Sequence, residues 1–467
     1  MPKAPARSVE LGRVASSASQ GFGKFVIIIP ILAIAYAEII LPLMMYADAG
    51  APAGAGGLWT PAQEKILNAP NPAHRIFWSP LAAISIILAI RNWPRLTLPP
   101  HIIFLFAYLA FAGISVSWAY KPEYSSVRFV QQAMIITSIV LPALLAARTV
   151  DMMRGVFLVF LLALIVNLFF VLDQKPMILE NGRIGYAGYF TFKGVLGECA
   201  AFALMLSFHE ILYPGWRRAF GIIAIGIAIY LFVMSDSKGS VAFACLAPLL
   251  AALTLFISKK VRASPAILLA PIPIFYAVLS KIVPNLINRI SWHVYGNFTL
   301  TGRTDIWDFV NSEIARRPLF GWGYQSFWLV GPDAPSIVDA PGWIKDMPSA
   351  HNGYLDTRLD MGYIGLTLLI IFIFTTLHAI GRVRETARAW LLLALALFLI
   401  LTNFLESGWM HAYDMLWLMF LIVAAEAGRH WQPSFRGAPE PIRRGPLIAA
   451  RRPSLARAQV SRKPSRF

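Results

Sequence analysis

Two short polar motifs contain residue types that could carry out group-transfer chemistry. Residues 301–307 have the sequence Thr-Gly-Arg-Thr-Asp-Ile-Trp, and residues 349–356 have the sequence Ser-Ala-His-Asn-Gly-Tyr-Leu-Asp. Arg303 carries a planar guanidinium group, which suits a diphosphate because it can donate two parallel hydrogen bonds. His351 carries an imidazole with a reference pKa of about 6.5, so its neutral form can accept a proton near neutral pH. The motifs therefore indicate an anion site and a candidate general base.

Arg303 precedes a predicted helix whose apolar positions recur at helical spacing: Ile306, Phe309, Val310 and Ile314. Thr304 or Asp305 could cap the start of this helix, and Arg317-Pro318 would end it. The unpaired N–H groups and the dipole at a helix N-terminus favour an anion, although Asp305 in the first turn weakens that field. The alternative is that Arg303 only pairs with Asp305 or Asp308.

His351 is predicted to lie where a loop becomes a helix beside the membrane face. The alternative to a general base is a structural histidine that bonds a backbone carbonyl. Secondary candidates for the same site are Trp307, Asn352, Tyr354 and Glu406. His293 and His411 have weaker claims.

Several basic residues accompany these motifs on the same predicted side of the membrane: Lys175, Arg183, Lys193 and Lys238. Lys193 ends the sequence Gly-Tyr-Phe-Thr-Phe-Lys at the mouth of an apolar run. Lys238 lies in the polar turn Ser235 to Ser240. Each residue could pair with a nearby acid or a lipid headgroup. We expect instead that Arg183, Lys193 and Lys238 face an anionic ligand at the outer membrane surface.

The composition excludes a soluble protein of this length. The polar motifs must therefore be positioned by apolar segments that span a membrane. The chain has 57% hydrophobic and 14% charged residues with a mean hydropathy of +0.61, whereas soluble domains carry about 25% charged residues. The predicted fold is an all-α polytopic integral membrane protein with about a dozen transmembrane helices. A large polar loop, residues 281–361, separates the ninth and tenth spans. The predicted spans are 25–46, 76–90, 100–118, 130–147, 156–172, 194–213, 219–234, 241–258, 264–280, 362–380, 389–404 and 412–428.

The charges of the connections predict the orientation. With the N-terminus inside, five short links carry twelve basic residues against two acids, Asp151 and Glu385. This asymmetry matches the positive-inside bias. The motifs and the 281–361 loop are then outside the cytoplasm, and both termini are cytoplasmic.

Both tails are basic. Residues 1–24 carry four basic residues and one acid, and residues 429–467 carry ten and one, with a composition typical of disorder. Nucleic-acid binding is one interpretation of this charge, but basic tails beside anionic membrane lipids are commoner. We therefore expect membrane lipids, and no nucleic acid, as partners. The N-terminus also resembles a signal peptide, but its apolar run continues to Met45 and favours an uncleaved first span.

In their order along the chain, the motifs resemble those of the O-antigen ligase and Wzy-type polymerase superfamily. The motifs are the Lys193 segment, the turn at Ser235, Gly302 to Trp307, Arg317-Pro-Leu-Phe-Gly-Trp-Gly323 and His351 to Leu355. The forms around Arg303 and His351 look most like exopolysaccharide polymerases of the ExoQ kind. Over residues 185–380 the resemblance lies in the motifs themselves. Over the rest of the chain it lies in the predicted arrangement of membrane spans.

The resemblance implies a GT-C-like glycosyltransferase of the bacterial inner membrane. Such an enzyme takes a saccharide from an undecaprenyl-diphosphate carrier on the periplasmic side and transfers it to a second lipid-linked sugar or to lipid A core. Arg303, Arg183 and Lys193 would stabilise the leaving diphosphate, and His351 would take the proton of the acceptor hydroxyl. No metal or other cofactor is implied, and other polysaccharide assembly and export proteins are expected partners.

Two other classes remain open from the sequence. A transporter or flippase of lipid-linked sugars would place ionisable residues near the bilayer midplane, where Glu38 and Glu198 are the candidates. A purely structural assembly protein is the second alternative. A measurement of polymer formation from purified lipid-linked saccharide units would distinguish the glycosyltransferase from the transporter and from the structural assembly protein.

Overall fold

The computed structural model describes residues 25–49, 72–174, 177–178, 184–283, 285–295 and 299–431. The predicted N-terminal tail, Lys175, Arg183 and residues 432–467 lie outside this part of the chain. Residues up to Trp431 form one compact unit. The α-helices, numbered in chain order, are α1 (Phe25–Ala47), α2 (Pro72–Arg91), α3 (Pro100–Ser115), α4 (Pro122–Leu145), α5 (Met152–Asp173), α6 (Lys193–Glu210), α7 (Trp216–Ser235), α8 (Lys238–Val261), α9 (Pro265–Leu269), α10 (Pro271–Ile282), α11 (Leu286–Tyr295), α12 (Arg303–Arg316), α13 (Pro335–Val338), α14 (Gly353–Ile380), α15 (Thr386–Thr402) and α16 (Met415–Arg429).

The described elements are helical except for one small antiparallel ribbon, in which β1 (Met177–Ile178) pairs with β2 (Ile184–Gly185). Nine helical segments among the described residues are long and apolar enough to cross a membrane. The remaining three predicted spans coincide with α6, α15 and α16. The predicted class, an all-α polytopic membrane protein, is confirmed, while the count of twelve spans stays a prediction.

The helices α6, α15 and α16 form the interior of the body. Every residue of α16 is buried, although this helix has only 15 residues. α15 packs against α8 and α6, and α16 packs against α4 and α15. Because these helices contact protein rather than lipid, their lengths need not match the thickness of the bilayer. Cys199 of α6 is buried, whereas Cys245 of α8 is exposed.

The predicted large loop is folded rather than extended. It contains α11, α12, α13 and a 3₁₀ turn at Gly342–Asp346, and α14 begins inside it at Gly353. A small second core of aromatic and aliphatic side chains lies under α12, and Phe327 and Val310 at its centre are fully buried. This core fixes the loop against the start of α14.

α14 is interrupted at Gly362, the residue at which the tenth span was predicted to begin. Gly362 has φ 63°, a conformation that L residues rarely adopt. A Cβ atom there would lie 2.2 Å from the carbonyl oxygen of Leu319. The interruption frees backbone groups of α14, which bond the segment Pro318–Gly323: the N–H groups of Trp322 and Gly323 donate to the carbonyls of Leu359 and Asp360. The Arg-Pro-Leu-Phe-Gly-Trp-Gly motif therefore bridges the interruption in α14 through backbone hydrogen bonds.

One end of the helical body contains a closed set of buried ion pairs. Glu426, which is fully buried, pairs with Arg388 and with Arg429. Asp151 lies 3.6 Å from Nη2 of Arg388 and 3.0 Å from Nη1 of Arg217. These residues come from the links predicted to be cytoplasmic and from the end of α16. Arg429, the first residue of the predicted tail, thus belongs to the helical body.

Candidate functional site

The opposite end of the body contains a cavity of about 1090 Å³. Lys193 and Glu210 are the first and last residues of α6, so that helix, of about 27 Å, separates the cavity from the ion-paired end. The wall combines residues from α1, α6, the turn between α7 and α8, the start of α12, the segment before α14 and the segment between α15 and α16. The structure brings five predicted site residues to this cavity: Arg303, His351, Lys193, Lys238 and the secondary candidate Glu406.

Arg303 is the first residue of α12. Gly302, with φ 88°, occupies the cap position and no side chain caps the helix, so the prediction that Thr304 or Asp305 caps it is wrong. The predicted apolar face is correct, because Ile306 and Val310 are buried. Nη2 of Arg303 lies 2.8 Å from Oε1 of Glu406, and its Nε donates to the carbonyl of Leu405 at 3.0 Å. The ion-pair partner is thus Glu406 rather than Asp305 or Asp308.

His351 lies two residues before α14, has φ 47°, and lines the cavity. Its Nδ1 is 3.3 Å from Oε2 of Glu406. A carboxylate can only accept a hydrogen bond, so this contact requires the proton on Nδ1 and leaves the lone pair of Nε2 available. Its side chain is 32% exposed, so the ring is reachable from the cavity.

Glu406 holds both residues, one on each carboxylate oxygen. Burial raises the pKa of Glu406, but the hydrogen bond with His351 and the charge of Arg303 outweigh it, so the pKa is lowered overall. Glu406 is therefore ionised at neutral pH. It fixes the orientation of the imidazole and the position of the guanidinium together.

Asp356 organises the segment that presents His351. Its carboxylate accepts hydrogen bonds from the N–H of Ala350 at 3.1 Å, from Nε1 of Trp328 at 2.9 Å and from the hydroxyl of Ser407. Trp307, a secondary candidate, donates its Nε1 to the carbonyl of Ala350 at 2.9 Å. These bonds hold the residue before His351 from two sides.

The other secondary candidates also support the motif from behind. Asn352 caps α14, because its Oδ1 accepts from the N–H groups of Tyr354 and Leu355. The hydroxyl of Tyr354 donates to the carbonyl of Ile400 at 3.0 Å. Neither residue lines the cavity. Within this motif, His351 lines the cavity, and Asn352 and Tyr354 lie behind it.

Lys193 and Lys238 lie on the cavity wall at the starts of α6 and α8. Nζ of Lys193 is 3.5 Å from a carboxylate oxygen of Asp236 and 3.2 Å from its carbonyl. Lys193 thus pairs locally with an acid while it also faces the cavity, so both of its predicted roles have a structural basis.

Arg128 is a functional candidate that the sequence analysis missed. It lies on α4 and lines the cavity, and its guanidinium donates to the carbonyls of Gln325, Trp328 and Leu329. Gln325 and Leu329 both have positive φ, which turns these carbonyls towards Arg128. The available signal was its position two residues before the predicted span 130–147, on the same predicted side of the membrane as the motifs.

Asp414 and His411 also line the cavity from the segment after α15. Asp414 caps α16 by accepting from the N–H of Leu416 at 2.8 Å. Burial, with a contribution from the charge of Glu406, raises the pKa of Asp414 to about 7. Burial lowers the pKa of His411. In the described part of the chain, no group of three or more His, Cys, Asp or Glu residues could hold a metal ion.

Comparison with known proteins supports the resemblance seen in the motifs. Residues 223–370, which contain Arg303 and His351, match the family described as O-antigen ligase. The chain is 26% identical over 313 residues to the exopolysaccharide production protein ExoQ of Rhizobium meliloti, covering 64% of this chain and 68% of that relative. It is 23% identical over 177 residues to a candidate polysaccharide ligase of Rickettsia typhi, covering 37% of this chain and 43% of that one. The predicted resemblance is confirmed: this is a multi-pass membrane protein similar to O-antigen ligases and to ExoQ.

Proposed function

We propose that this chain is a membrane glycosyltransferase that polymerises saccharide units carried by undecaprenyl diphosphate. The proposal is carried by one observation, the placement of Arg303 and His351 on the two oxygens of Glu406 inside one cavity. A cation that can bind a diphosphate and a base that can deprotonate a hydroxyl are the two groups this transfer needs. The similarity to O-antigen ligases and to ExoQ supports the same class of substrate.

The cations act on the leaving group. Arg303, Lys193 and Lys238 offer positive charge on the cavity wall, where a lipid diphosphate would lie at the end of the body. As the bond between the sugar C1 and the diphosphate oxygen breaks, the electron pair passes to the diphosphate. Positive charge placed beforehand stabilises that developing charge without reorganisation. The diphosphate site is completed in this proposal by Arg183.

His351 acts on the acceptor. Its Nε2 takes the proton of the acceptor hydroxyl while the hydroxyl oxygen forms the new bond to C1. Glu406 accepts from Nδ1 and stabilises the imidazolium that forms, as orienting carboxylates do in other His-dependent transfers. The proton then leaves through the cavity to the diphosphate or to solvent.

The proposed location is the bacterial inner membrane, in a GT-C-like arrangement with both termini in the cytoplasm and the 281–361 loop in the periplasm. The basic links predicted to be cytoplasmic contribute Arg217 and Arg388 to the ion-paired end, and the motifs gather at the other end. Cysteine accessibility at exposed Trp343 and Lys259 tests the orientation. Labelling of a Trp343→Cys variant from the cytoplasm only would contradict both the orientation and the mechanism.

Transfer to lipid A core is the second candidate function, because residues 223–370 match the O-antigen ligase family. The two functions share the donor and differ in the acceptor. The purified full-length chain is therefore incubated with lipid-linked saccharide, with and without lipid A core, and without nucleotide sugar. Growth of polymer on the lipid carrier supports the polymerase, and product only with lipid A core supports the ligase. No transfer with either acceptor would overturn the proposed function.

A further inference from the structure

Two acids of predicted membrane spans, Glu38 of α1 and Glu198 of α6, lie on the wall of the cavity. Glu38 is 1% exposed and Glu198 is 8% exposed. Burying a carboxylate without a partner is costly, and acids inside spans are rare for that reason. Neither acid belongs to the Arg303, Glu406 and His351 group, so their presence needs a separate explanation.

Glu198 has no partner within the described part of the chain: no residue there donates a hydrogen bond to it or forms an ion pair with it. A buried carboxylate kept in such a place, facing a cavity, lacks donors that a ligand could bring.

Glu38 lies on a π-helical turn, Tyr36–Ile40, in the middle of α1. Such turns replace regular helix at a local cost and are frequent at functional sites. Oε1 of Glu38 is buried and has no hydrogen-bond partner among the described residues. The hydroxyl of Tyr189 bonds the carbonyl of Glu38 at 3.0 Å and fixes the turn.

The chemistry of the missing partners points to a saccharide. A carboxyl group accepts hydrogen bonds and donates one when it is protonated, and sugar hydroxyls are neutral groups that both donate and accept. The cations Arg303 and Lys193 already have partners, since Arg303 pairs with Glu406 and Lys193 with Asp236. The cavity thus contains cations that suit phosphates and carboxyl groups that suit hydroxyls.

We infer that Glu198, assisted by Glu38, binds hydroxyl groups of the saccharide carried by the lipid diphosphate. This inference rests on the proposed function and adds a substrate preference to it. A saccharide with free hydroxyls at the linkage is favoured. A sugar that carries its own carboxylate there is disfavoured, because that charge would be buried beside two acidic side chains in a water-poor site.

The test compares two probes on the purified full-length chain in lipid nanodiscs. Undecaprenyl diphosphate contains the anion without a sugar, and the lipid-linked saccharide that accumulates in a deletion strain contains both. The parent should bind the saccharide-bearing probe about 10-fold or more tightly than undecaprenyl diphosphate, the value of a hydrogen bond to a charged group. Glu198→Gln should reduce this ratio towards one and leave the affinity for undecaprenyl diphosphate unchanged. Asp308→Asn, an exposed acid outside the cavity lining, is the matched control.

Thermal unfolding without ligand separates a binding role from a structural one. Since Glu198 has no partner among the described residues, Glu198→Gln should unfold at the same temperature as the parent or higher. A much lower unfolding temperature, or an unchanged ratio of the two affinities, would overturn the inference and leave the proposed function intact. If the parent binds neither probe, it is the proposed function that fails.

Discussion

Both ends of the helical body contain paired charged side chains, but the two sets differ in their exposure. At one end, Glu426 is enclosed by Arg388 and Arg429, and the charges satisfy one another without solvent. At the cavity end, Glu406 holds Arg303 and His351 with a side chain that is 38% exposed. The ion pairs of Glu426 hold helices together inside the protein. The contacts of Glu406 hold the proposed base and the proposed diphosphate-binding cation in place and leave them accessible, so substitutions there should affect turnover rather than folding.

The largest effect should follow from the loss of the base. If His351 takes the acceptor proton, His351→Ala should reduce turnover by about 10²–10⁴, the usual contribution of general base catalysis, with donor affinity nearly unchanged. His351→Gln keeps a hydrogen bond to Glu406 but cannot accept the proton, so it should stay inactive. The measurement is polymer formed per protein. Near-parental turnover of the Gln variant would make His351 a positioning residue, and His293→Gln on exposed α11 is the control.

A substitution at the ion-paired end should lower the stability of the protein rather than its turnover. Glu426→Gln leaves Arg429 buried without its counter-charge and leaves Arg388 with only Asp151 and Glu385, which should cost about 3–5 kcal/mol of unfolding free energy. The protein that still folds should transfer saccharide at a parental rate. Asp339→Asn, at an exposed ion pair with Arg316, is the matched control and should cost about 1 kcal/mol or less. The comparison between the ends breaks down if Glu426→Gln lowers turnover per folded molecule but not thermal stability.

The diphosphate site should show a smaller effect. Arg303→Lys retains one charge but loses the planar fork, so the apparent KM for the lipid-linked donor should rise about 10-fold, and Arg303→Ala should be worse. Arg316→Lys tests the same change at the other end of α12, outside the cavity. Parental kinetics in both Arg303 variants, at equal expression, would assign Arg303 to structure alone.

The smallest effect concerns pH. Since the pKa of Asp414 is raised from 3.8 to about 7, the folded protein holds this proton more tightly than the unfolded chain. Its contribution to stability is therefore complete below about pH 4 and is lost as the pH rises through about 7. Asp414→Asn keeps the helix cap, so it should unfold at a temperature that depends less on pH between 5 and 8. An identical pH dependence in parent and variant would contradict this.

Local patterns in the sequence predicted the helices and the motifs. The apolar face of α12 and the start of a span at Gly362 needed no information beyond nearby residues, because helical period and glycine conformation are local properties. The resemblance supplied the order of the motifs. These signals placed Arg303, His351, Lys193 and Lys238 on one side before any geometry was known.

The partners of these residues were not predictable in the same way. Glu406 lies about a hundred positions beyond Arg303, and nothing local indicates that it joins Arg303 to His351. The carbonyls around Arg128 depend on positive φ at Gln325 and Leu329, which no common turn signal marks. The cap of α12 was misplaced because Thr304 and Asp305 are good capping residues, whereas Gly302 adopts the turn that the preceding chain requires.

The burial of α16 has a consequence for how the protein is made. Ribosomes deliver helices in chain order, so α1 to α14 enter the membrane before the two helices around which they pack. Until α15 and α16 arrive, the earlier helices enclose lipid or one another, and the segment with Glu406 is missing from the cavity. We therefore expect the proposed site to be completed late in biosynthesis. A ribosome that stalls before α15 should leave an inserted chain that lacks the Glu406 segment and exposes its interior surface to membrane quality control.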